Sequence, residues 1–351
     1  MGIWYCTRDD VANSPDKAYP PKDLAKIDRA IEAASRKVDG AGGAERIFYP
    51  QFGATRYFRW PAEQRSKTYR LRTKGVDILN LTTLTVAGTV IPSSDYFLEP
   101  ANSGPPYTSI EIDTSSDTGS FSSGDTRQRS IELLADVGFT EETVAVGTIT
   151  ANLDTSETVV ALDTAIDVSV GSLLVVGTEW MKVTGKAFAD SAQNTTGALT
   201  NKNTDSSVGV ADGTAFAAGE VIAIDSELML VESIVGNNLL VDRAVRGTVL
   251  AAHLTAADIF RETSYTVERG ILGSTAATHT SADVASVWVT PGDVRSLVTA
   301  MAITETQQLS AGYAKTVGTG EGQKEARSLG VKRLWDDVMT TYRDNQVLYS
   351  V

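Results

Sequence analysis

The hydrophobic pattern at the start of the chain, up to Ala54, predicts helices. Thr7 followed by Asp10 is typical of a helix start, with Thr as N-cap and an acidic residue three positions later. From residue 23 to residue 38 apolar positions recur every three or four residues, which predicts a helix with one buried face; they are Leu24, Ile27, Ile31, Ala34 and Val38. Gly40 stands where a left-handed C-cap would end this helix.

From Thr55 the hydrophobic period changes to two, which predicts β-strands. The stretches TRYFRW, TYRLR and ILNLTTLTVAG are rich in Thr, Val, Tyr and Phe, which favour strands. Basic and aromatic residues alternate here, and the pattern has two interpretations: contact with DNA, or the solvated face of a half-buried sheet, which we favour. The candidates for DNA contact are Arg65, Lys67, Arg70, Arg72 and Lys74.

Residues 158–289 contain one small unit written twice. GSLLVVGTEWMKVT, from Gly171, matches GEVIAIDSELMLVE, from Gly219, with Gly, Glu, Met and Val at equal spacings. VDRAVRGTVLAAHLTAAD, from residue 241, matches VERGILGSTAATHTSAD, from residue 267. The order is first half, first half, second half, second half. We therefore infer that a complete unit (208–260) was inserted into a loop of an older copy (158–187 with 264–289).

The chain has two histidines, His253 and His279, and they occupy the same position of the two copies. Equivalent positions favour a structural role, such as closing a turn by hydrogen bonding to the backbone, over a metal or acid–base role. A zinc site would also need Cys or further His nearby. Likewise, the matched Glu and Arg of each copy predict an ion pair near the core; they are Glu179, Arg269, Glu227 and Arg243.

After residue 289 the period is helical again. Thr290-Pro291 predicts a helix start, with a helix to about Leu309 and a last helix from 323 to 342. We predict an α+β fold with three parts: a helical bundle built from both chain ends (1–54 and 290–351), a β domain (55–150) and an inserted, duplicated small β module (151–289).

Composition and charge limit the classes of protein to which this chain can belong. Hydrophobic content of 42% with 21% charged residues is typical of soluble globular proteins. The sequence has neither an apolar run long enough to span a membrane nor a signal-peptide core, which predicts a protein assembled in the cytosol. The net charge of −13 is uneven: residues 75–290 hold 28 acidic and 9 basic residues, whereas residues 1–74 hold 9 and 15. An acidic middle repels nucleic acid, as suits a surface that DNA passes without binding.

Motifs for chemistry are missing from the sequence. There is no nucleophile elbow, Walker loop or cysteine-built metal cluster, and the single cysteine cannot form an internal disulfide. The stretch GTGEG lacks both a preceding strand and a following GK[ST], so it is a weak phosphate-binding motif. We therefore expect no enzymatic activity, no cofactor and no metal.

Several stretches together resemble the head-to-tail connector (adaptor, or neck) proteins of long-tailed, siphovirus-like phages of actinobacteria. They are YCTRDDV, AKIDRAIEAASRKVDG, RIFYP with TRYFRWP, SSDYFLEP, PPYTSIEI and, near the C-terminus, GYAKTVGTGEGQKEARSLGVKRLWDDV. The resemblance covers about residues 1–150 and 290–351. The simplest members of the family are much shorter, so residues 151–289 depart from their pattern.

The resemblance implies a structural virion protein of the bacteriophage neck, assembled in the host cytoplasm. Its partners would be the portal protein, the next neck protein (stopper or tail terminator) and further copies of itself in a ring, a dodecamer in most members. The genome would pass through the channel during ejection without specific binding. The portal-binding segment would comprise Gln346, Val347, Leu348, Tyr349, Ser350 and Val351.

Two other functions stay open. The first is a carbohydrate- or host-binding β module of a phage tail, which the duplicated insertion would suit. The second is a hydrolase, in which His253 and His279 would have to carry the chemistry. Within the connector interpretation, an acidic channel wall and a basic DNA contact at residues 65–74 are opposing predictions. DNA binding at low salt distinguishes them.

Overall fold

The computed structural model describes residues 2–13, 21–60, 68–116, 119–164, 166–310, 316–317, 324–325 and 329–343. Strands account for 37% and helices for 21% of this structure, in three large antiparallel sheets. The predicted α+β fold with a helical bundle from both chain ends is therefore wrong, because the protein is mostly β. The boundaries of the three predicted domains stay a prediction.

Four α-helices occur in the described ranges: α1 (Arg8–Ala12), α2 (Leu24–Asp39), α3 (Gly292–Ser310) and α4 (Leu329–Tyr342). The predicted stripe of α2 is inside, with Ile27, Ile31 and Val38 all fully buried. Thr7 and Asp10 form the predicted capping box of α1. Gly40 follows α2 in an extended conformation (φ −74°) rather than the left-handed one. None of these helices is long and apolar enough to cross a membrane.

The last predicted helix starts later than expected. Residues 324–325, placed in that helix from the sequence, form a short strand that pairs with residues 316–317. Short 3-10 helices connect other elements at Pro21–Asp23, Ser93–Asp95, Gly213–Ala215 and Val245–Gly247.

The strands are numbered in chain order. They are β1 (Gln51–Phe58), β2 (Arg70–Arg72), β3 (Ile78–Val86), β4 (Thr89–Ile91), β5 (Tyr96–Glu99), β6 (Ser109–Ile112), β7 (Ile131–Val137), β8 (Thr143–Thr148), β9 (Val159–Ala161), β10 (Leu173–Val176), β11 (Glu179–Asn194), β12 (Ser207–Gly209), β13 (Val221–Ile224), β14 (Glu227–Val235), β15 (Asn238–Asp242), β16 (Asp258–Glu268), β17 (Val284–Trp288), β18 (Thr316–Val317) and β19 (Lys324–Glu325).

The helices share a core with a sheet, which explains why the bundle prediction failed. Val294, Leu297 and Val298 of α3 are completely buried. They belong to one apolar cluster with α2, with the N-terminal Trp4 and Tyr5, and with sheet residues including Val175, Trp180 and Trp288. An apolar stripe requires an apolar partner but does not specify a helical one. Here the stripes of the helices are covered in part by strands.

Two smaller sheets lie between residues 51 and 137. The first has the order β1-β7-β3-β4 and the second the order β2-β6-β5. Ile131 and Leu133 of the central strand β7 are fully buried, and they join Ile78, Leu84 and Ile110 in one core. The strands alternate buried and less buried positions, as a sheet with one covered face requires.

The two copies of the repeat merge into a single ten-stranded sheet. Its order is β12-β15-β14-β13-β16-β11-β10-β17-β8, and β9 also pairs with β16. The long strand β16 links the copies, because it pairs with β11 and β9 of the older copy and with β13 of the inserted one. Each copy nevertheless keeps its own apolar cluster, one around Met181 and one around Met229.

Packing of α3 against the sheet can be tested with two leucines of that helix. Leu297 is fully buried and Leu309 is 42% exposed. We expect Leu297→Ala to lower the free energy of unfolding by about 2–5 kcal/mol, because it leaves a cavity in the shared core. Leu309→Ala should change it by about 0.5 kcal/mol or less. Urea denaturation measures both, and equal losses would contradict the shared core.

Candidate functional site

The most concentrated polar chemistry in the described structure is a buried cluster that occurs once in each copy of the repeat. Each cluster is built on a hairpin whose second strand begins with a fully buried glutamate, Glu179 in β11 and Glu227 in β14. Two-residue turns precede them, with positive φ at Gly177 (59°) and Asp225 (52°). Turns of this kind match the twist of the paired strands and fix the register. Each glutamate is therefore held at the start of its strand.

In the older copy, Arg269 binds Glu179 through two hydrogen bonds. Nε donates to Oε1 at 2.9 Å and Nη2 donates to Oε2 at 2.6 Å. The backbone N–H of Ala277 also donates to Oε2, at 2.9 Å. The same guanidinium donates to the carbonyl oxygens of Ala277 and Asp154. One ion pair thus ties three separate segments of the chain together.

The inserted copy repeats this geometry around Glu227. Arg243 Nε donates to Oε1 at 2.9 Å and Nη2 to Oε2 at 2.6 Å, and the N–H of Ala251 donates to Oε2 at 2.9 Å. Arg243 also donates to the carbonyls of Thr200 and Ala251. The side chains of Arg243 and Glu227 are both completely buried. The predicted Glu–Arg ion pair of each copy is confirmed.

The two histidines complete the clusters. His279 Nε2 lies 2.8 Å from Glu179 Oε2, and His253 Nε2 lies 2.9 Å from Glu227 Oε2. The prediction that these rings bond to backbone is wrong, since both rings contact carboxylates. Their backbones do close the loops: His253 exchanges two hydrogen bonds of 2.9 Å with Leu199, and His279 does the same with Leu153.

One difference between the two clusters lies at the tip of the hairpin. His253 Nδ1 lies 2.7 Å from Asp225 Oδ2, so that ring stands between two carboxylates. An imidazolium can donate to both, whereas a neutral ring can donate to only one. The position equivalent to Asp225 is Gly177, which has no side chain to offer His279. Sequence reasoning missed Asp225. The alignment of the two copies nevertheless places it opposite Gly177, directly before the matched pairs Thr178-Glu179 and Ser226-Glu227.

The electrostatics of both glutamates favour the ionised form. Burial by itself raises the pKa of Glu179, but hydrogen bonds from Arg269, from the N–H of Ala277 and from His279 outweigh it and lower the pKa to about 2. The pKa of Glu227 is likewise raised by burial and lowered to about 2 by the equivalent partners. Both carboxylates therefore stay charged at neutral pH inside the protein.

These clusters are suited to holding the chain together. Each carboxylate already accepts from a guanidinium, an amide and an imidazole, so its acceptor sites are largely occupied. No group of three or more His, Cys, Asp or Glu residues suitable for a metal ion is found among the described residues. The arrangement fastens a loop to a hairpin, and its polar atoms bond to each other and to the backbone.

A second polar region is a cavity of about 690 Å³ between the N-terminal segment and both copies of the repeat. Four cations line it, and each has an anionic partner: Arg8 with Asp28, Lys186 with Asp9 and Glu262, Arg246 with Glu262, and Arg295 with Asp10. Burial raises the pKa of Asp9, but Lys186 and Arg246 outweigh it and lower the pKa. Sequence reasoning missed this region because its residues come from segments that are far apart in the sequence.

The residues predicted to contact DNA are only partly within the described ranges. Arg65 and Lys67 lie outside them. Arg70 forms an ion pair with Glu111 on the neighbouring strand β6, while Arg72 and Lys74 are exposed. The predicted portal-binding residues 346–351 also lie outside the described ranges. Both roles stay predictions.

Removal of one charged side chain from a buried cluster should destabilise the folded protein. We expect Arg243→Met to lower the free energy of unfolding by about 3–5 kcal/mol, because Glu227 is then left as an unpaired buried charge. Arg127→Met is the matched control, since Arg127 is exposed, and it should change stability by about 0.5 kcal/mol or less. Chemical denaturation measures both variants. A loss for Arg243→Met as small as that of the control would contradict a structural role.

The free energy of unfolding should also depend on pH through the same two glutamates. Their pKa is about 2 in the folded protein and 4.5 ordinarily, so their contribution is complete above about pH 4.5 and is lost as the pH falls toward 2. Each carboxylate adds a slope of up to about 1.4 kcal/mol per pH unit. Urea denaturation between pH 6 and pH 3 should show a flatter slope for Glu179→Gln/Glu227→Gln. The exposed Glu141→Gln is the control, and an unchanged slope in the double variant would refute the assignment.

Comparisons of the chain with protein-family models, with curated proteins and with solved structures find no match.

Proposed function

We propose that the protein is a structural component of a phage virion, a head-to-tail connector that forms a ring under the portal and links the capsid to the tail. The observation that carries the proposal is the role of the buried charges. Both Glu–Arg–His clusters bond to the chain's own backbone and fasten loops to hairpins. Such clusters stiffen a scaffold that must transmit load, and their polar groups are engaged in that task.

The stretches that carry the resemblance to connectors support this function by their positions. YCTRDDV begins at Tyr5, and its first residues are buried with α2 in one apolar core. α3 and α4, from the other end of the chain, contribute Leu297 and Val338 to the same core. The N-terminal stretch and the C-terminal helices thus share one core, although residues 151–289 separate them along the chain.

The negative charge of residues 75–290 supports a channel through which DNA passes without binding. Residues 75–290 carry 28 acidic and 9 basic residues, and a surface of this sign repels phosphate. Of the basic candidates that are described, Arg70 is already paired with Glu111. We therefore favour an acidic channel wall over a basic DNA contact.

In this proposal the protein acts in the neck of the virion, after assembly in the host cytoplasm. The partners are the portal protein, the next neck protein and copies of the same chain, twelve in the ring. Residues 346–351 bind the portal.

The mass of the protein in solution, alone and with its portal protein, tests the proposal. We expect the 37.4 kDa chain to form a large closed ring on the portal, because ring contacts are heterologous and close on themselves. A variant that lacks residues 346–351 should fold normally and fail to join the portal. A chain that stays monomeric and ignores the portal would refute the connector function. It would favour the carbohydrate- or host-binding alternative, which a glycan array tests.

A further inference from the structure

The two copies of the repeat present equivalent loops that meet different surroundings. The loop of the older copy spans residues 271–280 and that of the inserted copy spans residues 245–254. The same contacts hold both loops: Ser274 Oγ accepts from the N–H of Trp180 at 3.0 Å, and Thr248 Oγ1 accepts from the N–H of Leu228 at 3.2 Å. The two loops are therefore held in the same way, and they differ in the side chains that they expose.

The loop of the older copy is docked within the chain. The N–H of Phe52, on the edge strand β1 of the four-stranded sheet, donates to the carbonyl of Leu272 at 2.8 Å. The contact is close, because a Cβ added to Gly273 would lie 2.2 Å from Phe52 O. Ile271 and Leu272 pack against the core that the helices share. In this chain, the loop thus covers one edge of a sheet.

The loop of the inserted copy instead exposes apolar side chains. Val249 is 79% exposed and Leu254 is 81% exposed, the highest values among the large hydrophobic residues of the described chain. The equivalent positions in the older copy are Thr275 and Thr280, which are also exposed. Threonine is thus present in the loop that is docked within the chain, and valine or leucine in the loop whose outer face is open. Large apolar side chains that are exposed to this degree on one loop favour an interaction surface.

The structure offers a matching surface on the other edge of the four-stranded sheet. That edge is β4, the three-residue strand after β3, and no other strand of the described chain pairs with its outer side. Its middle residue, Val90, is 60% exposed. An open edge presents unpaired N–H and C=O groups to any chain that approaches. The older loop already covers β1, so β4 is the equivalent edge left open.

Charge favours contact between these two surfaces. The inserted copy, residues 208–260, has seven acidic and two basic residues, a balance of −5. Both bases are paired, Arg243 with Glu227 and Arg246 with Glu262. The segment that bonds to the β3–β4 turn through Ala87 N–H and Ser130 C=O (2.7 Å) carries the exposed Arg127. Opposite charges therefore approach when the inserted loop meets β4 of another molecule.

We propose that the loop 245–254 docks on the open edge β4 of a neighbouring copy of this chain, with Val249 and Leu254 against Val90. The loop and the edge are different surfaces of one molecule, so the contact is heterologous and can close into a ring. This inference rests on the proposed connector function and names its subunit contact.

Engineered cysteines test the contact directly. Leu254→Cys and Val90→Cys should form a disulfide between copies in the assembled protein, when each is made in a separate chain and the two are mixed. Neither variant alone should link, because a heterologous contact joins unlike surfaces. The native Cys6 is buried and does not compete. Val235→Cys, at another exposed valine of the inserted copy, mixed with Val90→Cys is the control and should not link.

A second variant measures the contribution of the apolar side chains. Val249→Thr/Leu254→Thr installs the residue type that the older copy has at the same positions, so the loop should fold. We expect it to weaken self-association by about tenfold or more, as measured by sedimentation. Val235→Thr should associate like the wild type.

The outcomes separate this contact from the connector function. The loop–edge contact is overturned if the ring forms on the portal without the 254–90 disulfide. It is also overturned if Val249→Thr/Leu254→Thr does not weaken ring formation. In both cases the connector function is still supported. A 254–90 disulfide at high concentration in a chain that ignores the portal supports the contact and removes the connector. A chain that neither associates nor links overturns both.

Discussion

The buried ion pair between glutamate and arginine is the constraint on which the duplicated sheet depends. A carboxylate without solvent is costly unless charge and hydrogen bonds compensate for lost hydration. Arg269 and Arg243 supply two hydrogen bonds each, and backbone amides and a histidine supply the rest. Every one of these donors lies on the loop that follows a later strand. The charge of one residue therefore fixes the position of a whole loop against a hairpin.

The nested arrangement makes these two clusters interdependent. β16 leaves the inserted copy, whose loop is held by Glu227, and enters the older copy, where Arg269 follows its last residue, Glu268. The same strand pairs with β11, which begins at Glu179. An insertion carried on a flexible linker would fold as a separate unit, whereas here both copies share a continuous ladder of hydrogen bonds. The positions of the two copies are thus coupled through backbone pairing.

The copies have diverged where they meet their surroundings. Asp225 replaces Gly177 at the tip of the hairpin and adds a second carboxylate beside His253. The docked loop of the older copy carries Thr275 and Thr280 toward solvent, whereas the inserted loop carries Val249 and Leu254. The frame of the module is held by the same buried charges in both cases. Its loop is consequently free to acquire different contacts without loss of the fold.

The local elements and the Glu–Arg ion pair of each copy could be predicted from the amino-acid sequence alone. The stripe of α2, the capping box at Thr7 and the repeated spacing of Glu, Arg and His follow from neighbours along the chain or from internal comparison. Three features depend instead on contacts between distant segments: the helices pack on a sheet, both copies share β16, and Asp225 contacts His253. Periodicity reports that a face is buried, not what covers it. The strand β8, which precedes the duplicated module in the sequence, pairs with β17 at the end of the older copy, and the folded chain as a whole makes this pairing.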